Sequence, residues 1–192
     1  IKARIIQVFL ASSAELEYER LQFADLFNHL NRIFVPMGLY LELSKWEYLD
    51  SSMGLEHKQR EYNRELKTSE ICVVLFWTKF GEYTENEFKT AYKELIEGRN
   101  PRKLYVRAFK ENMESGYGHF YCKFMTIDSM RLHFVLQLLT FPGISLDKFI
   151  KVEDSNVKMN GKTIANLDNI PFASNNREYI RLKQEISTIQ SE

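Results

Sequence analysis

Seven apolar residues, Ile71 to Trp77, lead into Thr78-Lys79-Phe80-Gly81-Glu82-Tyr83-Thr84-Glu85-Asn86-Glu87-Phe88. An apolar run followed by a helical pattern reads as a buried parallel strand feeding a helix. Open α/β sheets bind ligands outside the carboxyl ends of their strands, and this reading places Glu87 in the first helical turn, close to such an end. A carboxylate there can hydrogen-bond a sugar hydroxyl or stabilise a developing oxocarbenium ion, which is chemistry at a glycosidic bond. Trp77, Phe80 and Tyr83 nearby would desolvate the group and raise its pKa. Thr84 and Glu87 also spell T-x-x-E, the pattern of a capping box, in which Thr84 caps the helix and Glu87 reaches back to the Thr84 N–H. The residues alone leave both readings open.

A second group lies where the first predicted strand meets the first helix. Ser12 and Ser13 there can cap the helix, or, with its free N–H groups and dipole, hold a phosphate. Trp46, Glu47 and Asp50 fall in the loop after the second strand, on the same side of the sheet. Trp46 can stack on a nicotinamide or adenine ring or pack beneath its own loop. Neither G-x-G-x-x-G nor a Walker A run is present, which argues against a dinucleotide dehydrogenase or a P-loop ATPase. No nucleophile elbow supports acyl transfer. His29, His57, His119 and His133 show no ligand spacing, so no metal site is expected.

The elements that must position these residues follow from periodicity. Arg4 to Ala11 reads as a strand, and a helix with Leu16, Phe23, Phe27, Leu30 and Phe34 on one stripe runs to Pro36 and Gly38. Leu39 to Leu43, Glu70 to Trp77 and Lys103 to Phe109 read as further strands, with helices over about 56–67 and 84–97. His119 to Met125 reads as a short fifth strand and Ile127 to Phe141 as a helix. Strand and helix alternating with short connections predicts a parallel, doubly wound sheet. Val157-Lys158-Met159, Asn160-Gly161 and Lys162-Thr163-Ile164 then predict a hairpin closed by a type I′ turn. The organisation expected is an α/β domain over 1–144, an accessory hairpin and connector over 145–175, and the start of a helix over 176–192.

Composition narrows the class. The 192 residues are 44% apolar and 14% aromatic, enough for a core. Lys+Arg and Asp+Glu both number 26, a balance that argues against a dedicated binder of duplex DNA. Cys72 and Cys122 form no ligand-spaced pair, and Cys72 reads as a small buried hydrophobe. No signal peptide or apolar run of about 18 residues is visible, so a cytoplasmic protein with no membrane attachment is expected. The chain begins at Ile1 and ends inside a helical pattern, which reads as a piece of a larger polypeptide with a downstream domain.

Several strings taken together resemble a bacterial TIR-like family, over Ile5 to about Phe141. They are Val8-Phe9-Leu10-Ala11-Ser12-Ser13, Leu43-Ser44-Lys45-Trp46-Glu47, Gln59-x-x-Tyr62-Asn63, and Leu75 to Phe88 with Glu87. The resemblance implies a flavodoxin-like fold: a parallel sheet of about five strands with helices on both faces. It implies cleavage of the nicotinamide–ribose bond of NAD, with Glu87 catalytic and NAD as substrate rather than cofactor. Ser12, Ser13, Trp46, Glu47, Phe80 and Thr84 would then be substrate-binding residues, and activity would depend on self-association. Two alternatives remain: a non-catalytic interaction module, and an enzyme like the nucleoside deoxyribosyltransferases, which have a related fold and a similar glutamate-bearing stretch.

Overall fold

A computed structural model of the chain describes residues 3–12, 14–45, 55–76, 82–108, 121–123, 126–144 and 147–170. It divides into two compact units, 1–123 and 124–192. The first holds five parallel strands: β1 (Arg4–Ser12), β2 (Leu39–Lys45), β3 (Ile71–Phe76), β4 (Lys103–Ala108) and β5 (Tyr121–Lys123). Their spatial order is β2-β1-β3-β4-β5. The central strand shows why its sequence does not alternate. Ile71, Cys72, Val73, Val74 and Leu75 are all buried, because a parallel strand covered on both faces needs apolar side chains at every position.

Three helices supply that cover: α1 (Glu17–Phe34), α2 (Leu55–Thr68) and α3 (Glu82–Ile96). Phe9 and Ala11 of β1 and Cys72 and Val74 of β3 share one face, packing with Tyr62 and Leu66 of α2 and Phe88 and Ala91 of α3. Alternate strand residues point the opposite way, so Val8, Leu10 and Ser12 line the other face, where a right-handed crossover from β1 to β2 puts α1. The chain thus reverses its winding direction between β1 and β3.

α1 also guards the free edge of the sheet. The Asn31 side-chain amide donates to the Leu41 carbonyl at 2.9 Å, and its carbonyl accepts from the Leu41 N–H at 2.8 Å. The pair imitates a neighbouring strand on β2, which has one only on its other side, and edge strands left open invite aggregation. Asn31→Ala should lower stability by about 1–3 kcal/mol, read as a fall in the urea midpoint, with more protein lost to aggregation on heating. An unchanged midpoint would show that water serves the edge equally well.

The sequence places the α1 start and the α3 start differently from the structure. Ser12, one of two serines able to cap α1 by sequence, is the last residue of β1; a 3-10 turn (Ala14–Leu16) intervenes, and the α1 N-cap is Leu16 with no side-chain cap bond. α3 begins at Glu82, two residues before the predicted start, so Glu87 lies in its second turn rather than its first.

The second unit contains α4 (Ile127–Leu139) and an antiparallel sheet of β6 (Ile150–Glu153), β7 (Asn156–Met159) and β8 (Lys162–Asn166). The predicted Asn160-Gly161 turn is present, with both residues at positive φ. A second hairpin, between β6 and β7, turns at Asp154 and Ser155, again both at positive φ. α4 packs against β8, and Asp128 in its first turn accepts from the Asn166 N–H and the Asn169 side chain. Among the described residues no helix is long and apolar enough to cross a membrane.

Candidate functional site

Glu87 shares a stripe of α3 with Ala91 and Glu94, and the three side chains are buried. Two acids seven residues apart on one helix meet opposite environments. Glu94 accepts from Arg99 and lies 3.3 Å from the Lys67 ammonium. Hydrogen bonding from Arg99, aided by Lys67, holds its carboxyl down to about 2. Glu94 is therefore a structural charge, tying α3 to α2 and to the turn that follows α3.

Glu87 is only 4% exposed, and among the described residues it has no hydrogen-bond or ion-pair partner. Burial pushes its carboxyl up to about 8, the direction expected from the sequence; Trp77 and Phe80, two of the aromatics named for that effect, lie outside the described residues. Its near neighbour across the helix–sheet interface is Cys72, whose thiol burial pushes up, with the charge of Glu87 adding to the effect. Cys72 is fully buried, the small core residue expected. Phe88 and Ala91 complete the apolar wall. The result is a carboxylic acid kept neutral near pH 7, since among the described residues no cation compensates its charge.

The capping-box reading does not fit this placement. The acid of such a box sits at the third helical position, opposite a non-helical Thr cap. Thr84 is itself the third residue of α3, already helical, and Glu87 the sixth. A buried acid without a structural partner is more often found where chemistry needs it than where packing does.

Ser12 is 7% exposed at the carboxyl end of β1, and its Oγ accepts from the Arg20 guanidinium at 3.1 Å. Arg20 is 4% exposed and escaped the sequence reading. The signal was present: Leu16, Arg20, Phe23 and Phe27 follow helical spacing, so a charge interrupts the buried stripe. Ser12 pairs in register with Leu75, so the β1 and β3 ends adjoin. Ser12 faces α1, whereas Glu87 lies on the opposite, α2–α3 face near Cys72, which is in register with Phe9 rather than Ser12. Thr84 lies on α3 one turn before Glu87. Ser13, Trp46, Glu47 and Phe80 lie outside the described residues. Among the described residues no three His, Cys, Asp or Glu side chains come together to hold a metal.

Chemically, the arrangement offers an acid that ionises readily only beside a positive charge. It also offers a hydrogen-bonded serine–arginine pair at the neighbouring strand end. No protein-family model, curated protein or solved structure matches the chain.

Proposed function

We propose that the chain is a TIR-like effector domain of a defence or signalling protein, cleaving the nicotinamide–ribose bond of NAD when it self-associates. The strand order β2-β1-β3-β4-β5 is the flavodoxin-like order, whose ligand crevice lies at the carboxyl ends of β1 and β3. One observation carries the reading: Glu87, on the helix after the central strand, is a buried acid with no described partner and a proton held to about 8. The nicotinamide ring of NAD is a cation, and the ribosyl group it leaves behind develops positive charge. A desolvated carboxylate beside them interacts far more strongly than one in water, and most strongly with the transition state. The carboxyl that destabilises the empty domain would thus be matched to a cationic substrate.

An exposed apolar pair on α1 favours a second reading, a non-catalytic module that works by self-association. Tyr18 and Leu21, one turn apart on α1, are 61% and 58% exposed and offer an apolar contact. The test is NAD turnover by the chain fused to an oligomeric scaffold, beside its Glu87→Ala variant. Loss of NAD only with Glu87 in place supports the enzyme. Confirmed assembly without NAD loss moves the reading to the interaction module, or, should bases exchange between deoxynucleosides, to a deoxyribosyltransferase-like enzyme.

A further inference from the structure

We propose that the outward face of α1 docks antiparallel on the same face of a second copy of this chain, forming a closed two-fold dimer. The inference rests on the self-association reading and goes beyond it by naming the partner, its orientation and the number of copies.

Leu21 is the first reason. Leu21 and Leu30 on α1 are two and a half helical turns apart, so they point to opposite sides of the helix. Leu30 is fully buried, which puts Leu21 at the middle of the solvent face, where a surface helix carries polar residues. One exposed leucine is ordinary, but Leu21 belongs to a series. Tyr18, Leu21, Asp25, Asn28, Arg32 and Val35 follow alternating steps of three and four, and every one is exposed. Those steps are the a and d spacing of a two-helix seam. Val35 continues the stripe because its backbone is still helical.

Charge selects the partner and its direction. The first turn of α1 carries Glu17 and Glu19, and the last turn carries Arg32. A parallel pair would set like charge against like. An antiparallel pair sets the acidic start of each helix beside the basic end of the other and opposes the two helix dipoles favourably. In the antiparallel register that faces a positions with d positions, Tyr18 meets the partner's Val35. Leu21 then meets the aliphatic stem of the partner's Arg32, and Asp25 meets the partner's Asn28. The Arg32 guanidinium falls between the partner's Glu17 and Asp25. The stripe is thus complementary to itself, with apolar ends and a polar middle.

A patch that pairs with its own copy about a two-fold axis is used up at two copies, so the assembly closes there. The chain has a formal net charge of +0, so the copies do not repel at long range. α1 and the Glu87-bearing α3 cover opposite faces of the sheet, and the pair forms without drawing on the Glu87 side. An 18-residue helix is only about 27 Å long, so the seam is small and its dissociation constant should be on the order of micromolar.

The test is sedimentation velocity of the 192-residue chain from about 1 to 100 μM, a range that brackets such an affinity. A concentration-dependent shift from monomer to dimer is expected, with no larger species. Leu21→Asp should stay monomeric throughout, its circular dichroism unchanged because the position is on the surface. Arg32→Glu should weaken the dimer about tenfold, since each change counts twice across the two-fold axis. Adding Glu17→Arg to Arg32→Glu should restore most of that loss. A chain that stays monomeric at the highest concentration overturns the proposal, as does a dimer that Leu21→Asp leaves intact. An open series of larger species overturns closure, and failure of the charge swap to rescue overturns the antiparallel orientation. A dimer with these properties, alongside a scaffold fusion that consumes no NAD, supports this inference and refutes the enzyme reading. NAD consumption by the fusion with a free chain that never dimerises does the reverse.

Discussion

Glu87→Gln should make the protein more stable, by an amount that grows with pH. The folded chain holds the Glu87 proton to about 8, against an ordinary value of 4.5. Between those two values the unfolded chain has released a proton that the folded chain keeps. Stability therefore falls as pH rises through that window, and the loss levels off above the folded pKa. Glutamine has the same shape and no proton to lose, so it removes the dependence. The gain should be under about 1 kcal/mol near pH 5 and about 4 kcal/mol near pH 8. Urea unfolding at the two pH values reads it directly. A gain equal at both, or none, would mean that Glu87 is solvated or paired in solution and that burial is not what sets its pKa. A stabilising substitution at the residue proposed to be catalytic would also fit a familiar exchange between stability and activity.

Much of the first unit was legible because each element carried its own signal. The Ile71 to Leu75 run has no polar position and so had to be covered on both faces. The stripe of Leu16, Phe23, Phe27, Leu30 and Phe34 gave α1, and Pro36 with Gly38 gave its end, where Gly38 adopts positive φ. Asn160-Gly161 gave the β7–β8 turn. The β6–β7 turn was missed because Asp154-Ser155 is a weak form of the same signal: a serine at positive φ is unusual, and tertiary context holds it there.

The site was legible in type and less so in register. That burial raises the Glu87 pKa follows from an acid on the helix after a buried strand. Its helical position did not follow, because Thr84 is an attractive cap in sequence while α3 begins at Glu82. In sequence Ser12 reads as a helix cap or a phosphate ligand; it belongs to β1, and its hydroxyl accepts from a side chain eight residues on. Arg20 needed only the question of why a charge interrupts an apolar stripe. Propensity describes a residue's local options, and a partner from a neighbouring element decides among them.

If Glu87 acts as a carboxylate on NAD, kcat/KM of the assembled protein should climb about tenfold per pH unit up to roughly pH 8, then level off. The rate on free substrate follows the fraction of free enzyme in the active protonation state, and Glu87 in the empty domain ionises at about 8. Once the positively charged nicotinamide ring is bound beside it, the carboxylate is favoured and its pKa falls. Two consequences separate this from a base elsewhere in the site. The profile of kcat should be flatter than that of kcat/KM, because the bound enzyme is already ionised. Binding of NAD near pH 7 should also release about one proton, measurable by calorimetry in buffers of different ionisation enthalpy. NADH, whose dihydronicotinamide is uncharged, should release far less, and Glu87→Gln should release none with either. Equal proton release by NAD and NADH would show that Glu87 does not face the nicotinamide. A kcat/KM already level at pH 6 would show that the acting group ionises well below Glu87.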